Sequence, residues 1–72
     1  MEYVIVSFPT DRSVFIDGEK GGRTNEKLRV EAGTHEFDLG SPLDYEPGLQ
    51  EIEVAETTVL QPMEIVFSRK DT

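Results

Sequence analysis

The chain has 72 residues, of which 36% are hydrophobic and 31% charged, and its formal net charge is −8. So short a chain buries only about 60% of the surface that its unfolded form exposes, which predicts a single domain over residues 1–72 with a thin core. The acidic surface disfavours nucleic acid and anionic lipids as partners, and the absence of cysteine excludes disulfides and thiolate metal sites.

The first half of the chain separates short apolar runs with turn residues, which is typical of antiparallel β-structure. Residues 2–8 are apolar on both faces, and residues 13–17 alternate between apolar and polar. The Asp17-Gly18 pair predicts a type I′ hairpin turn, because that turn needs positive φ at both central residues. Residues 19–21 should then return as a short strand.

Two glycines mark the next changes of direction. Gly22 allows a bulge or a tight turn as the chain leaves the hairpin. Gly33 turns the chain between two alternating runs, residues 27–30 and 34–39. The stretch that follows, residues 40–48, is rich in glycine, proline and polar residues and is expected to be a loop.

The last third of the chain is predicted to form two more strands. Residues 50–55 alternate, but apolar residues there also recur at a spacing of three, so a helix is the alternative. The strand is favoured because a helix would expose Val54, which a strand buries. Residues 59–68 close the chain, and their strand should begin after Pro62, which has no N–H to donate to a ladder.

The N-terminal segment has neither the basic start nor the long apolar stretch of a signal peptide. No apolar run reaches the ~20 residues that a membrane-spanning helix needs. As written, the chain is expected to be cytoplasmic and without membrane insertion. In a domain excised from a longer chain, the expected compartment is the envelope or the extracellular space.

Several short motifs follow one another in the order found in a known family. They are Ser7-Phe8-Pro9, Val14-Phe15-Ile16-Asp17-Gly18, Gly22-Arg23-Thr24, Gly33-Thr34-His35 and Tyr45-Glu46-Pro47. Through them the chain resembles the PEGA domain, a small β-sandwich module of bacterial and archaeal proteins. The Pro-Glu-Gly-Ala stretch that names the family is replaced here, so that Arg12 stands where the family carries a small residue.

The resemblance implies a non-enzymatic module, often embedded in larger envelope-associated or multidomain proteins. Together with the strand pattern it predicts an all-β fold: a small antiparallel β-sandwich of six or seven strands, immunoglobulin-like in the broad sense. Its core is expected within residues 3–67. Residues 69–72 are expected to be frayed.

The residues offer little for catalysis, and no catalytic, metal-binding or cofactor-binding residue is assigned. His35 is the only histidine, and it shares a strand face with Phe37 and Leu39, which favours a partly buried structural role. Acidic residues such as Asp17 and Asp44 lack the alternate spacing of a calcium loop. Asp17 is better explained by the hairpin turn.

Two features retain functional weight. The apolar side chains exceed what one face of each strand can bury in a two-layer fold, so some are expected to form a contiguous surface that a partner covers. The candidates for this surface are Val4, Val6, Phe15 and Val66. Tyr45, in the longest loop, is either an exposed contact residue or, as is favoured, a plug over the open end of the sandwich.

The sequence therefore favours a non-catalytic protein-interaction module that presents a sheet face or edge. Its partner is expected to be another protein or, weakly, a second copy of the chain. One alternative is a structural spacer from a larger envelope-associated or multidomain protein. A second alternative is carbohydrate or small-ligand binding at residues 40–48.

Overall fold

The computed structural model describes residues 1–70, and over that range the chain forms strands, turns and loops without a helix. The all-β class is confirmed, and the segment that could have been a helix is a strand. The strands are β1 (Glu2–Ser7), β2 (Ser13–Ile16), β3 (Glu19–Arg23), β4 (Lys27–Val30), β5 (Gly33–Asp38), β6 (Tyr45–Glu46), β7 (Gln50–Val54), β8 (Met63–Val66) and β9 (Ser68–Arg69).

These strands form two main sheets and one small ribbon. The order is β4-β1-β8 in the three-stranded sheet, β3-β2-β5-β7 in the four-stranded sheet and β6-β9 in the ribbon. The main sheets hold seven strands, as expected of the sandwich, and the ribbon adds two that lie outside the predicted pattern. One pair differs from the antiparallel expectation, because β1 and β8 run parallel.

The core lies between the two main sheets. Burying a Val, Leu, Ile or Phe side chain contributes roughly 1.5–3 kcal/mol, so this cluster is the main source of stability. Its members are Val4, Val6, Phe8, Val14, Leu28, Val30, Phe37, Leu39, Tyr45, Val54, Ile65 and Phe67. The predicted alternation is confirmed on β4 and β7, where the apolar residues face inward and the charged residues face solvent.

The register decides which face of β1 meets the core. Val4 lies opposite Leu28 of β4, and Val6 lies opposite Ile65 of β8. All four side chains are buried. The other face of β1 is half-buried, because β1 is the central strand of its sheet and side chains of β4 and β8 flank it.

The predicted turn residues occupy turns or irregular points of the strands. Asp17 and Gly18 have φ of 54° and 85°, as the type I′ hairpin requires. Val14 lies opposite Gly22 while the next residue, Phe15, lies opposite Lys20, so a bulge interrupts β3. This strand also extends to residue 23, beyond its predicted end. Gly33, with φ of 129°, begins β5.

The described part of the chain ends in hydrogen-bonded structure. Arg69 lies in β9 opposite Tyr45, and the Lys70 N–H donates a hydrogen bond to the Asp44 carbonyl oxygen at 2.9 Å. The structure thus places residue 69 in the β6-β9 ribbon and residue 70 beside it, and the fraying of residues 69–72 stays a prediction. Residues 71 and 72 lie outside the described part of the chain.

Candidate functional site

The structure separates the five residues predicted for an interaction surface. Val4 and Val6 are fully buried, so the expectation that they form part of an exposed surface is wrong. They belong to the core because β1 turns these side chains toward the opposite sheet. Tyr45 is only 3% exposed, which agrees with the favoured plug and not with an exposed contact residue. Val66 is 55% exposed on the three-stranded sheet, and Phe15 is half-buried on the four-stranded sheet.

Phe15 and Val66 do not form one patch. Successive side chains along a strand point to opposite faces. The buried neighbours Val14 and Ile65 therefore place Phe15 and Val66 on the outer faces of two different sheets. Because these sheets pack core to core, their outer faces point in opposite directions. The predicted contiguous apolar surface is wrong, and two separate faces take its place.

The outer face of the four-stranded sheet follows from the strand register. Phe15 lies opposite Lys20 of β3 on one side and Asp38 of β5 on the other. Farther across the sheet, Glu36 of β5 lies opposite Glu51 of β7. We call this surface the acidic face, and its side chains are Phe15, Lys20, Thr34, Glu36, Asp38, Glu51 and Glu53.

The acidic face carries four carboxylates and one lysine. Within residues 1–70, none of these carboxylates forms a salt bridge. Glu36 and Glu51 stand directly across from each other, and like charges so placed destabilise a sheet, by roughly 0.2–1 kcal/mol. The fold gains nothing from this pair, which makes it a candidate for a role other than folding.

Phe15 is held in place near the middle of the acidic face. A Cβ atom added at Gly40 would lie 2.6 Å from Cε2 of Phe15, so the ring rests directly on the Gly40 backbone. Gly40 has φ of +70°, a conformation that favours glycine. Its N–H donates a hydrogen bond to Asp38 Oδ1 at 2.9 Å. The ring is thus fixed beside a carboxylate while part of it stays exposed.

Tyr45 closes one end of the sandwich, as the plug interpretation predicts. Its hydroxyl oxygen accepts a hydrogen bond from the Leu39 N–H at 3.2 Å. Its ring meets Phe8 and Phe67 edge to face, with centroid distances of 6.3 and 5.5 Å. An aromatic ring so placed offers no exposed platform on which a sugar could stack.

Arg12 stabilises this closed end, and its side chain is only 13% exposed. Its guanidinium lies over the rings of Phe8 and Tyr45, at 5.7 and 5.4 Å from their centroids. A hydrogen bond from Arg12 to Asp44 Oδ1, at 2.5 Å, lowers the pKa of the Asp44 carboxyl. The guanidinium also donates to the carbonyl oxygens of Leu39, Gly40 and Pro42.

In the sequence, Arg12 stands out only as a departure from the family pattern, and no role is predicted for it. The available signal was a long cation at a position where a small residue is usual. Its hydrogen-bond partners follow it by 27 to 32 positions in the chain, so no local pattern could identify them.

His35 links two turns. Its Nδ1 lies 2.6 Å from Asp17 Oδ2, and its Nε2 lies 2.6 Å from the Glu31 carbonyl oxygen. The hydrogen bond to Asp17 and the bond to the Glu31 carbonyl raise the pKa of His35, since both favour the protonated ring. The hydrogen bond from His35 lowers the pKa of Asp17. This arrangement matches the structural role predicted for His35.

Val66 borders a separate feature, an open groove of about 360 Å³ between the end of β1 and the β8–β9 segment. The groove is lined by Phe8, Pro9 and Arg69 among others. The Val66 carbonyl oxygen accepts a hydrogen bond from Gln50 Nε2 at 2.8 Å, which ties the edge of one main sheet to the other.

In the described range 1–70, no group of three or more His, Asp or Glu residues is placed to hold a metal ion. None of the elements in that range is a helix long and apolar enough to cross a membrane.

Comparison with known proteins identifies the family. The family model described as the PEGA domain matches residues 1–65, nearly the whole chain. No curated protein and no solved structure gives a significant match. PEGA domains are in general non-enzymatic modules of larger proteins, and they typically occur in envelope or extracellular proteins. The predicted resemblance is confirmed, and the chain belongs to the PEGA domain family.

Proposed function

We propose that this domain is a non-catalytic protein-interaction module that presents its acidic face to a basic protein surface. One observation carries the proposal: Glu36 lies directly opposite Glu51, and neither forms a salt bridge within residues 1–70. Lys or Arg side chains placed over this pair would replace repulsion with attraction when the partner binds. Such complementarity gives an interface specificity and a faster association rate.

Phe15 supports the same face as an aromatic contact. Its ring rests on the Gly40 backbone, so little conformational freedom would be lost when a partner covers it. Aromatic residues are enriched at protein interfaces, and a cation over an aromatic face gains about 0.5–1 kcal/mol at exposed sites. A basic partner would therefore meet both carboxylates and a ring.

Other occupants fit the acidic face less well. A second copy would present the same carboxylates, so two acidic faces repel each other. Nucleic acid is repelled for the same reason. Carbohydrate binding at residues 40–48 lacks its expected aromatic platform, because Tyr45 is buried.

The test compares two double variants of equal net charge in their binding to a labelled oligolysine peptide. Glu36→Gln with Glu51→Gln removes the opposed carboxylates, and Glu26→Gln with Glu56→Gln removes two exposed carboxylates elsewhere. Fluorescence anisotropy at low salt is the readout, because salt screens such attraction over a Debye length of ~8 Å near physiological strength. We expect the first variant to bind several-fold more weakly than the control.

Equal weakening in both variants would overturn the assignment of the face, because total charge alone would then explain binding. The same titration, followed by amide chemical shifts, locates the contact directly. The expected shifts fall on β5, β7 and the residues around Phe15. Shifts spread evenly over the surface would contradict the proposal.

The structural-spacer alternative is favoured by a separate observation. The chain enters the main sheets at one end of β1 and leaves them at the opposite end of β8, because these two strands are parallel. The protein is elongated, with principal extents of 36 × 21 × 16 Å. A domain with this path can lie in line with the chain on either side.

A further inference from the structure

β1 and β8 are the first and last strands of the main sheets, and they are direct neighbours. Their parallel register runs from Val4 opposite Met63 to Ser7 opposite Val66. Tension applied through the two ends of the chain would pull β1 toward its N-terminal end and β8 toward its C-terminal end. Because the strands are parallel, these pulls are opposed and lie along the ladder.

Further hydrogen bonds lie at both ends of the β1–β8 ladder. At the entry end, Glu2 Oε1 accepts a hydrogen bond from the Thr57 N–H at 2.8 Å, next to the connection that leads into β8. At the exit end, the Phe67 N–H donates to the Ser7 carbonyl oxygen at 3.0 Å. This bond continues the ladder by one step beyond the last residue of β8.

We propose that this domain is a load-bearing spacer in which the β1–β8 ladder acts as a mechanical clamp. The inference develops the spacer alternative and does not depend on the acidic face. Hydrogen bonds in a parallel ladder are evenly spaced. Opposed pulls along the two strands shear the ladder, so they load these bonds together. A pull that separates the strands from one end would break the bonds one at a time.

Side-chain packing adds to the resistance of the ladder. Val4, Val6 and Ile65 face the core with at most 1% exposure. A slip of one residue would turn such side chains to the opposite face of the sheet, so sliding has to disrupt the core. On the outer face, Ser7 Oγ donates a hydrogen bond to Glu64 Oε2 at 2.8 Å across the same two strands.

One strand of the β6-β9 ribbon, β9, lies between β8 and the C-terminal end of the chain. The ribbon pairs only two residues with two, Tyr45 with Arg69 and Glu46 with Ser68. We expect this ribbon to open first under tension and at low force. The load then reaches the β1–β8 ladder, whose rupture unfolds the domain.

Single-molecule force spectroscopy tests the clamp by pulling the same folded state in two directions. In the first direction, tension is applied through the two ends of the chain. In the second, it is applied between the N-terminus and a cysteine introduced by Leu60→Cys. The chain has no cysteine of its own, and Leu60 is 90% exposed and precedes β8 on the side where β1 begins.

We expect the rupture force to be several-fold higher for the end-to-end direction, because the second direction peels β8 from β1. Equal thermal unfolding of Leu60→Cys and the unaltered chain shows that both directions start from the same fold. A rupture force between the two ends that is no higher than in the peeling direction would overturn the proposal. Glu36→Gln with Glu51→Gln should leave the end-to-end rupture force unchanged, which separates this result from that of the acidic face.

Discussion

The closed end of the sandwich and the acidic face use charge in opposite ways. At the closed end, the one guanidinium of Arg12 donates hydrogen bonds to a carboxylate and three carbonyl oxygens and lies over two aromatic rings. On the acidic face, four carboxylates share one lysine and two of them stand directly opposed. At the closed end the charge of Arg12 is paired within the fold, whereas the carboxylates of the acidic face form no salt bridge within residues 1–70.

This difference shows why a net charge of −8 does not by itself locate a function. Carboxylates that the fold already uses, such as Asp44 and Asp17, have hydrogen-bond donors and lowered pKa values. Four of the carboxylates that form no salt bridge within residues 1–70 share one sheet face, and two of these four stand directly opposed. This arrangement, and not the number of unpaired carboxylates, is what points to a partner.

The largest expected effect comes from breaking the closed end with Arg12→Ala. The substitution removes a partly buried hydrogen-bond donor from several carbonyl oxygens and uncovers the rings of Phe8 and Tyr45. We expect the free energy of unfolding to fall by about 2–4 kcal/mol, measured by urea denaturation. Arg23→Ala is the matched control, because its exposed guanidinium bonds Asp11 alone among residues 1–70. An Arg12→Ala protein as stable as that control would contradict the role of the closed end.

The next effect comes from Gly40, which touches both regions. Its carbonyl oxygen accepts a bond from Arg12, and its backbone supports the ring of Phe15. Gly40→Ala introduces a Cβ against that ring at positive φ, and we expect a loss of about 1–2 kcal/mol in the free energy of unfolding. Gly48→Ala is the control, because a Cβ there, its two chain neighbours aside, meets no heavy atom of residues 1–70 within 4 Å. Equal stabilities would show that the ring moves aside freely.

The His35–Asp17 contact sharpens the comparison, because the fold uses the charge of the His35 ring and that charge changes with pH. The pKa of His35 is raised above 6.5 in the folded chain. Its stabilising contribution is therefore complete below the unfolded pKa and is lost as the pH rises through the folded pKa. We expect the free energy of unfolding to decrease over that interval and His35→Gln to flatten the decrease. An identical pH profile for His35→Gln would contradict the assignment.

Added salt should affect the stability of the two regions unequally, and its effect should be smaller than those of the substitutions above. Screening relieves repulsion among exposed carboxylates but acts weakly on a partly buried contact such as that of Arg12. We expect the melting temperature to rise from low salt to a few hundred millimolar sodium chloride. The rise should be smaller in Glu36→Gln with Glu51→Gln. A melting temperature that falls with salt would mean that ion pairs outweigh the repulsion.

Local patterns in the sequence predicted the strands and the hairpin well. The alternation of β4 and β7 and the Asp17-Gly18 turn depend on neighbouring residues, which a sequence displays directly. The face of β1 was misassigned because both of its faces are apolar, and the choice depends on register with β4 and β8. That register, like the parallel pairing of β1 with β8, joins residues far apart in the chain.

The candidate site was predicted only in part for the same reason. Phe15 was identified correctly as lying outside the core side of its strand, but its separation from Val66 depends on which sheet each strand joins. The opposition of Glu36 and Glu51 follows from the β5–β7 register. Neither relation has a signature in the spacing of residues along the chain.

One measurement tests most directly whether the stability of the fold depends on the carboxylates of the acidic face. It is the free energy of unfolding of Glu36→Gln with Glu51→Gln at low salt, compared with wild type and with the equally charged Glu26→Gln, Glu56→Gln variant. We expect the first variant to exceed both, by roughly 0.2–1 kcal/mol relative to wild type, because it removes a directly opposed like-charge pair. A variant less stable than wild type would show that the fold uses these carboxylates, and would contradict the account.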